Sequence, residues 1–363
     1  MKKDTIQSGA LDAISDKNRA GVNISMGVGK TLLAIKHMTK RYTSISKFLV
    51  VAPKRKIFTS WIDELNKYPE YKFLEEHITF STYLSLTKQD TDYDVIYLDE
   101  CHSLKATHNK FLKSFIEIGG TTIGLTGTYP SNNNSEKGKM CNYYCPLVYT
   151  YSVDDAVSDA LLNDYEIIVH PVHLNSLGGL HKKTKSGGTY ETSETKDYAY
   201  WTKQTLQANT PKSQQMSRIM RMKALMSYQS KFEYALNLFH VQDNKTIVFA
   251  NTQVQADGLC NYSVHSKNKK SDENLKLFKE GTITKLSAVD QLSEGVTIPN
   301  LKTGIIMHAY GNNRKASQKI GRLLRLNPED KSTIHILYYK YTQDEEWVKN
   351  ALKGFNKQKI KWK

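Results

Sequence analysis

The sequence predicts an α/β fold made of two tandem domains, each a mostly parallel sheet flanked by helices. Short β-rich runs alternate with helical patterns along the chain, an order that buries strands on both faces and returns each crossover through a helix. The alternation occurs twice, in halves of similar size. The length of 363 residues exceeds one ordinary domain of roughly 100–200 residues. Hydrophobic residues at 39% suffice for packed cores and exclude a wholly disordered chain.

In the first half, Lys47–Ala52 (KFLVVA), Ile78–Phe80, Asp94–Leu98 (DVIYL) and Thr122–Leu125 are short, β-branched or aromatic runs and so strand candidates. Lys30–Lys40 and Ile57–Lys67 carry the helical patterns between them. The Asn-rich stretch Ser131–Lys139 reads as a loop, and the seam between halves falls within Tyr151–Asp164, giving domains at residues 1–155 and 156–363. In the second half the strand candidates are Glu166–Leu174, Lys245–Ala250 (KTIVFA), Lys285–Val289, Thr303–Met307 and Ile334–Tyr339. Ser271–Lys279 and Arg314–Leu324 read as helices. Asn175–Thr195 is rich in Gly, Ser and Lys and reads as a mobile hairpin or loop. The closing GFNKQKIKWK is a basic tail, either a fraying helix or a nucleic-acid contact.

Charge narrows the function. Residues 1–160 hold 20 basic and 18 acidic groups, a net of +2, whereas residues 161–363 hold 31 and 18, a net of +13. Concentrated positive charge suits a polyanion, whose counterions are released on binding. No stretch approaches the roughly 18 apolar residues of a membrane span. The N-terminus lacks the apolar core of a secretory signal. Four cysteines are too few for a disulfide framework, so a cytoplasmic chain with reduced thiols is expected. Cys141 and Cys145 have no second Cys or His pair nearby, and no zinc site is expected there.

Ser25–Met26–Gly27–Val28–Gly29–Lys30–Thr31 precedes the helical run LLAIKHM. That order lets backbone N–H groups and a helix N-terminus surround phosphate oxygens. Lys30 would contact the β- and γ-phosphates, and the Thr31 hydroxyl would bind Mg²⁺. The full phosphate-loop pattern places a glycine at position 24, where this chain has Ile24. Val95–Ile96–Tyr97–Leu98–Asp99–Glu100–Cys101–His102 is a β-rich run ending in two carboxylates. At the C-terminal end of a parallel strand they face the crevice where ligands bind. Asp99 can hold Mg²⁺ through water and Glu100 can polarise the attacking water, the division of labour that phosphoryl transfer needs.

GVGKT, DECH (99–102), LTGTYP (125–130), IVFANT (247–252), LSEGVTIP (292–299) and QKIGRLLR (318–325) stand in the order found in superfamily 2 helicases and translocases, which the chain resembles over almost its whole length. The resemblance implies two RecA-like domains with ATP and Mg²⁺ bound between them. It implies that His102, Thr126 and Thr128 couple hydrolysis to nucleic-acid movement, that Gln318 lies near the γ-phosphate, and that Arg322 and Arg325 are arginine fingers. Gln7 is similar to the adenine-reading glutamine, and Gly295 lies in a nucleotide-binding motif, with Thr297 where many members carry Asp. The style of SMGVGKT and LTGTYP resembles the Swi2/Snf2 and type III restriction branches, and the compact chain looks like small bacteriophage helicases of the UvsW type.

The same resemblance implies nucleic-acid contacts at Pro53, Lys54 and Arg55, at Ser81 and Thr82, at Asn251, and at His265 and Ser266. Cationic side chains and hydroxyls of this kind hold phosphates without reading sequence. Trp61, in the helix after VAPKRK, reads as core. Lys182, Lys183 and Lys185 read as solvated loop charge, with a grip on a second strand as the alternative. The resulting expectation is an ATP-dependent motor with DNA favoured over RNA as partner. An RNA helicase and a motor subunit or ATP-switched binding module are the alternatives; nothing in the sequence points to protein partners or a membrane.

Overall fold

The structure is a computed structural model that describes residues 2–25, 27–130, 132–184, 187–289, 298–309 and 330–363. The chain divides into two compact units, Met1–Asn163 and Asp164–Lys363. The first unit comprises α1 (Lys2–Ser15), β1 (Arg19–Ile24), α2 (Lys30–Arg41), β2 (Phe48–Ala52), α3 (Lys56–Lys67) and β3 (Ile78–Thr82). It continues with β4 (Val95–Asp99), α4 (Asn109–Glu117), β5 (Thr121–Thr126), α5 (Glu136–Tyr144), β6 (Leu147–Tyr151) and α6 (Val153–Ser158). Its six strands run in the order β3-β2-β4-β5-β1-β6, with every pair parallel. Strands β2, β4 and β5 are buried along their whole length, and β2 and the first four residues of β4 accordingly read as unbroken apolar runs.

The second unit opens with β7 (Asp164–Val172), β8 (Leu180–Lys183), β9 (Thr189–Thr192), α7 (Glu194–Leu206), α8 (Pro211–Ser227), α9 (Gln229–His240) and β10 (Thr246–Phe249). It proceeds through α10 (Gln253–Leu259), β11 (Ser263–Val264), α11 (Ser271–Glu280), β12 (Lys285–Ala288), β13 (Thr303–Ile306), β14 (Lys331–Tyr339), α12 (Gln343–Ala351) and β15 (Ile360–Trp362). Its seven-stranded sheet, β11-β12-β10-β13-β14-β7-β15, is also parallel throughout. The two units are thus RecA-like α/β domains in tandem, as the alternation of strand and helix patterns predicts.

Three expectations need correction. The Asn-rich stretch Ser131–Lys139 is not loop throughout, because Ser135 caps α5, which starts at Glu136. The closing basic segment is neither a tail nor a frayed helix: β15 adds an edge strand beside β7, with Lys361 paired to Glu166, Lys359 to Asp164, and the Trp362 ring 5.6 Å from Tyr338. Within the Gly- and Ser-rich stretch, β8 and β9 form an antiparallel hairpin. Its Lys182 is not solvated loop charge, because Nζ lies 3.0 Å from the buried Asp197 carboxylate; Lys185 lies outside the described residues. Among the described residues no helix is long and apolar enough to cross a membrane.

Buried polar groups pin the second unit. Lys231 of α9 is paired with Asp344 of α12, both buried, and its ammonium lies 4.3 Å from the Tyr339 ring centre. Burial pushes the Lys231 pKa down while Asp344 opposes that shift. On the neighbouring strands β7 and β14, His170 Nε2 and His335 Nδ1 are 2.8 Å apart, and His170 Nδ1 meets the Tyr234 hydroxyl at 2.9 Å. Burial lowers both histidines to about 4, helped by each other's charge at His170 and by Lys363 at both. Burial also brings His37 of the first unit to about 4.

These histidines fold as neutral imidazoles, whereas in the unfolded chain they protonate near 6.5. Their stabilising contribution is therefore complete above about pH 6.5 and is lost as the pH falls toward 4. Thermal unfolding followed across that window should show a falling midpoint, with a shallower fall in His335→Gln. Identical slopes for the two proteins would remove the pair as the cause.

Candidate active site

The phosphate-loop residues span the end of β1 to the start of α2. Gly27 and Gly29 have φ of +93° and +99°, conformations that L side chains rarely adopt. A Cβ on Gly29 would lie 2.5 Å from Gln7 Nε2. Ile24 is the last residue of β1, with its side chain in the core. Only its carbonyl serves the loop, accepting from Lys30 Nζ at 3.2 Å. The departure from the glycine pattern thus falls where the chain is still strand. Helix α2 begins at Lys30, directly after Gly29 in left-handed geometry, and like α3, α4, α9 and α11 has no side-chain cap. An uncapped N-terminus leaves first-turn N–H groups and the positive end of the helix dipole for an anion.

Gln7 reaches this loop from α1. Its Nε2 donates to the carbonyl oxygens of Val28 at 3.1 Å and Gly29 at 3.5 Å, and its Oε1 accepts from Lys36 Nζ at 2.8 Å. The side chain is buried, so in this structure Gln7 braces the loop's backbone. The Ser25 hydroxyl, buried at the end of β1, has no hydrogen-bond partner among the described residues. Two glycines in left-handed geometry, an uncapped helix, a lysine and an orphaned hydroxyl suit a polyphosphate. Thr31 is the second residue of α2 and Asp99 ends β4, hard oxygen donors of the type Mg²⁺ prefers.

The two carboxylates diverge. Asp99 is buried; its Oδ2 accepts from Trp61 Nε1 at 3.0 Å and its Oδ1 from the Glu100 backbone N–H at 3.0 Å. The Tyr83 hydroxyl donates to the Asp99 carbonyl at 2.9 Å. Glu100 then adopts φ +51°, a left-handed conformation costly for a residue with a Cβ. That turn carries its carboxylate to Thr126, whose Oγ1 donates to Glu100 Oε2 at 3.2 Å. His102 Nδ1 lies 2.7 Å from Thr126 Oγ1, 3.3 Å from Glu100 Oε2 and 3.3 Å from Thr128 Oγ1. With Thr126 donating to Glu100, its oxygen accepts from His102, which assigns the imidazole proton to Nδ1. Glu100, His102, Thr126 and Thr128 therefore form one hydrogen-bonded cluster.

Pro53, Lys54 and Arg55 follow β2, with both cations exposed, while Ser81 and Thr82 end β3, whose Thr82 is in register with Ala52. The sheet brings these five residues to one edge. Ser81 is itself buried. In the second unit Gln253 Nε2 donates to Ser266 Oγ at 3.0 Å, joining the segment after Asn251 and Thr252 to that after β11. His265 departs from the expected phosphate contact: its ring is buried and Nε2 lies 2.8 Å from Asp257 Oδ1, so the exposed Ser266 is the better-placed donor. Gly295, Gln318, Arg322 and Arg325 lie outside the described residues.

Trp61 is the residue whose part sequence reasoning missed. It is core, as expected, yet its indole N–H is a buried donor that needs an acceptor, and the fold supplies one 38 positions away in Asp99. Trp61→Phe keeps most of the packing and removes one hydrogen bond to a charged group. It should lower the unfolding free energy by roughly 1–3 kcal/mol in a urea titration; an unchanged midpoint would show that the bond contributes nothing.

Residues 2–131 match the family described as "Type III restriction enzyme, res subunit", and residues 230–327 match "Helicase conserved C-terminal domain". Over 360 residues the chain is 23% identical to the DNA 3'-5' translocase XPB2 of Sulfurisphaera tokodaii, covering 91% of this chain and 80% of that protein. Among solved structures, the ATP-dependent Type ISP restriction-modification enzyme LlaBIII bound to DNA aligns with a TM-score of 0.63 at 15% identity. It covers 99% of this chain, which spans 31% of that one. Dbp5 of S. cerevisiae, bound to RNA and ADP BeF3, aligns with a TM-score of 0.60 at 14% identity, covering 99% of this chain and 89% of that one. At such identities these structures establish the shared fold and no more. The two matched families, in this order on two RecA-like domains, identify the chain as carrying a superfamily 2 helicase and translocase module.

Proposed function

We propose that the protein is an ATP-driven motor acting on DNA, coupling hydrolysis to movement along the strand or its remodelling. The observation that carries this reading is the hydrogen-bonded cluster of Glu100, His102, Thr126 and Thr128 beside an uncapped, glycine-led helix N-terminus. Gly27, Val28 and Gly29 would cradle the phosphates with backbone N–H groups, and Lys30 would leave the Ile24 carbonyl for them. Thr31 and Asp99 would hold Mg²⁺, which when bound neutralises charge on the β- and γ-phosphates. Trp61 would keep the Asp99 carboxylate oriented, and Glu100 would polarise the attacking water. His102 and Thr126 would register the state of Glu100 and pass it to Thr128. Gly295, Gln318, Arg322 and Arg325 keep the roles that the resemblance implies, the arginines stabilising transition-state charge.

Pro53, Lys54, Arg55, Thr82, Asn251 and Ser266 are the proposed nucleic-acid contacts. DNA is favoured because the relative spanning most of the chain is named a DNA translocase and the second half carries a net of +13. The narrower kinship with bacteriophage helicases of the UvsW type rests on motif style.

In the first sheet β2 and β1 are three positions apart, roughly 14 Å at ordinary strand spacing. Lys30→Ala should therefore abolish ATP hydrolysis while leaving DNA affinity within about twofold; full hydrolysis by that variant would refute the assignment. A panel of single-stranded DNA, branched DNA and RNA in the ATPase assay separates the DNA motor from an RNA helicase. Affinity for duplex DNA should fall with salt, at a log–log slope of roughly −0.9 per neutralised phosphate. A slope near zero would exclude phosphate-driven binding.

A further inference from the structure

Residues 173–229 stand between β7 and the second matched family segment, and belong to neither match. Most of them form the hairpin β8–β9 and the helices α7 and α8, seated on the second unit through Val172, Leu225, Tyr228 and Tyr339. Between α7, the residues that follow β7 and the turn after β14 lies an open groove of about 800 Å³, a size typical of ligand sites. One wall is a face of α7 carrying Tyr198, Thr202, Lys203 and Leu206; the other is the turn after β14, with Lys340 and Tyr341.

Several observations give this groove a ligand chemistry. Its lining contains no carboxylate among the described residues, and Lys203, Lys340 and His173 are the groups able to carry charge. Tyr341 is held at φ +61°, a genuine outlier for a bulky residue, with 79% of its surface exposed. Such strain persists where the surroundings impose it; here the Tyr341 N–H donates to Glu345 Oε2 at 3.0 Å and the Lys340 N–H to the Val172 carbonyl at 3.0 Å. The Lys340 ammonium stands 5.0 Å from the Tyr341 ring centre. Leu206 opposite is also exposed, at 80%. Tyr198 is fixed, its hydroxyl accepting from the Gln343 N–H at 2.9 Å. Thr202 Oγ1, in the wall, has no partner among the described residues. Apolar and aromatic faces under a cationic rim match a ligand with a flat ring and an anionic group. A nucleotide has both, and the unit holding the groove carries most of the chain's excess positive charge.

We propose that this groove binds an unpaired nucleotide of a single nucleic-acid strand, with the base stacked on Tyr341 and the phosphate held by Lys203 and Lys340. The proposal rests on the motor reading for its ligand and adds a holding point on the insert, separate from the family's motifs. Stacking on an aromatic is sequence-tolerant because every base has a π-face.

The test is fluorescence anisotropy of the full chain with labelled oligothymidylate, joined to photocrosslinking with 5-iododeoxyuridine in the same strand. Tyr341→Asn accepts the left-handed backbone and removes the ring, and should raise Kd about tenfold, whereas Tyr341→Phe should stay within about twofold of the unaltered chain. The pair Lys203→Gln and Lys340→Gln should flatten the salt slope by about 0.7, the contribution of one phosphate contact on a single strand. Crosslinks should map to Tyr341 or Tyr198. If the unaltered chain binds no nucleic acid, the motor reading falls and takes the groove with it. If it binds, but Tyr341→Asn binds equally and crosslinks lie elsewhere, this proposal alone is overturned and the motor reading stands.

Discussion

A parallel sheet delivers every strand to the same edge, and the chemistry of the first unit is built on that constraint. Strands β4, β5 and β1 are neighbours in the order β3-β2-β4-β5-β1-β6. In register, Asp99 pairs with Leu125, and Asn23 pairs with Thr126. The acid pair, the Thr126 turn and the Gly-Lys-Thr loop therefore emerge side by side, although they are spread over about a hundred residues of the chain. Backbone hydrogen bonds that must be made in any case hold this alignment, so side chains need to supply only the final orientation.

That orientation uses two contrasting devices. Asp99 is held by burial and by donors on both carboxylate oxygens. Glu100 is aimed by an unfavourable backbone conformation, offset by a hydrogen bond from Thr126, with His102 Nδ1 3.3 Å from its carboxylate. The first arrangement resists change because an unpaired buried carboxylate is costly. The second holds a strained backbone in place through contacts from neighbouring side chains.

The second unit places its rigidity elsewhere. Lys231 and Asp344, paired in the core, tie α9 to α12, and Glu194 accepts from both the N–H and the hydroxyl of Ser230, fastening α7 to α9. These ties hold the insert of β8, β9, α7 and α8 against the C-terminal ends of β7 and β14. In open parallel sheets that is the edge where ligands collect.

Much of this was legible from sequence because strands buried on both faces are continuous apolar runs, and because phosphate binding demands glycines, a lysine and a hydroxyl at fixed spacing. KFLVVA, DVIYL and KTIVFA disclosed their strands in this way. β1, written RAGVNI, did not, since its glycine and asparagine weaken the local signal and only its neighbours β5 and β6 make it a strand. β15 was likewise hidden within a basic segment. Residue types and their order determined the α/β class and marked the Gly-Lys-Thr loop and the acid pair at strand ends, because these depend on short-range spacing. Only the tertiary structure decided that Trp61 donates to Asp99, that Gln7 braces the loop, that His265 turns inward, and that α7 and the turn after β14 enclose a groove. Each of those contacts joins residues whose separation along the chain carries no periodicity, so nothing in the one-dimensional pattern could encode the pairing.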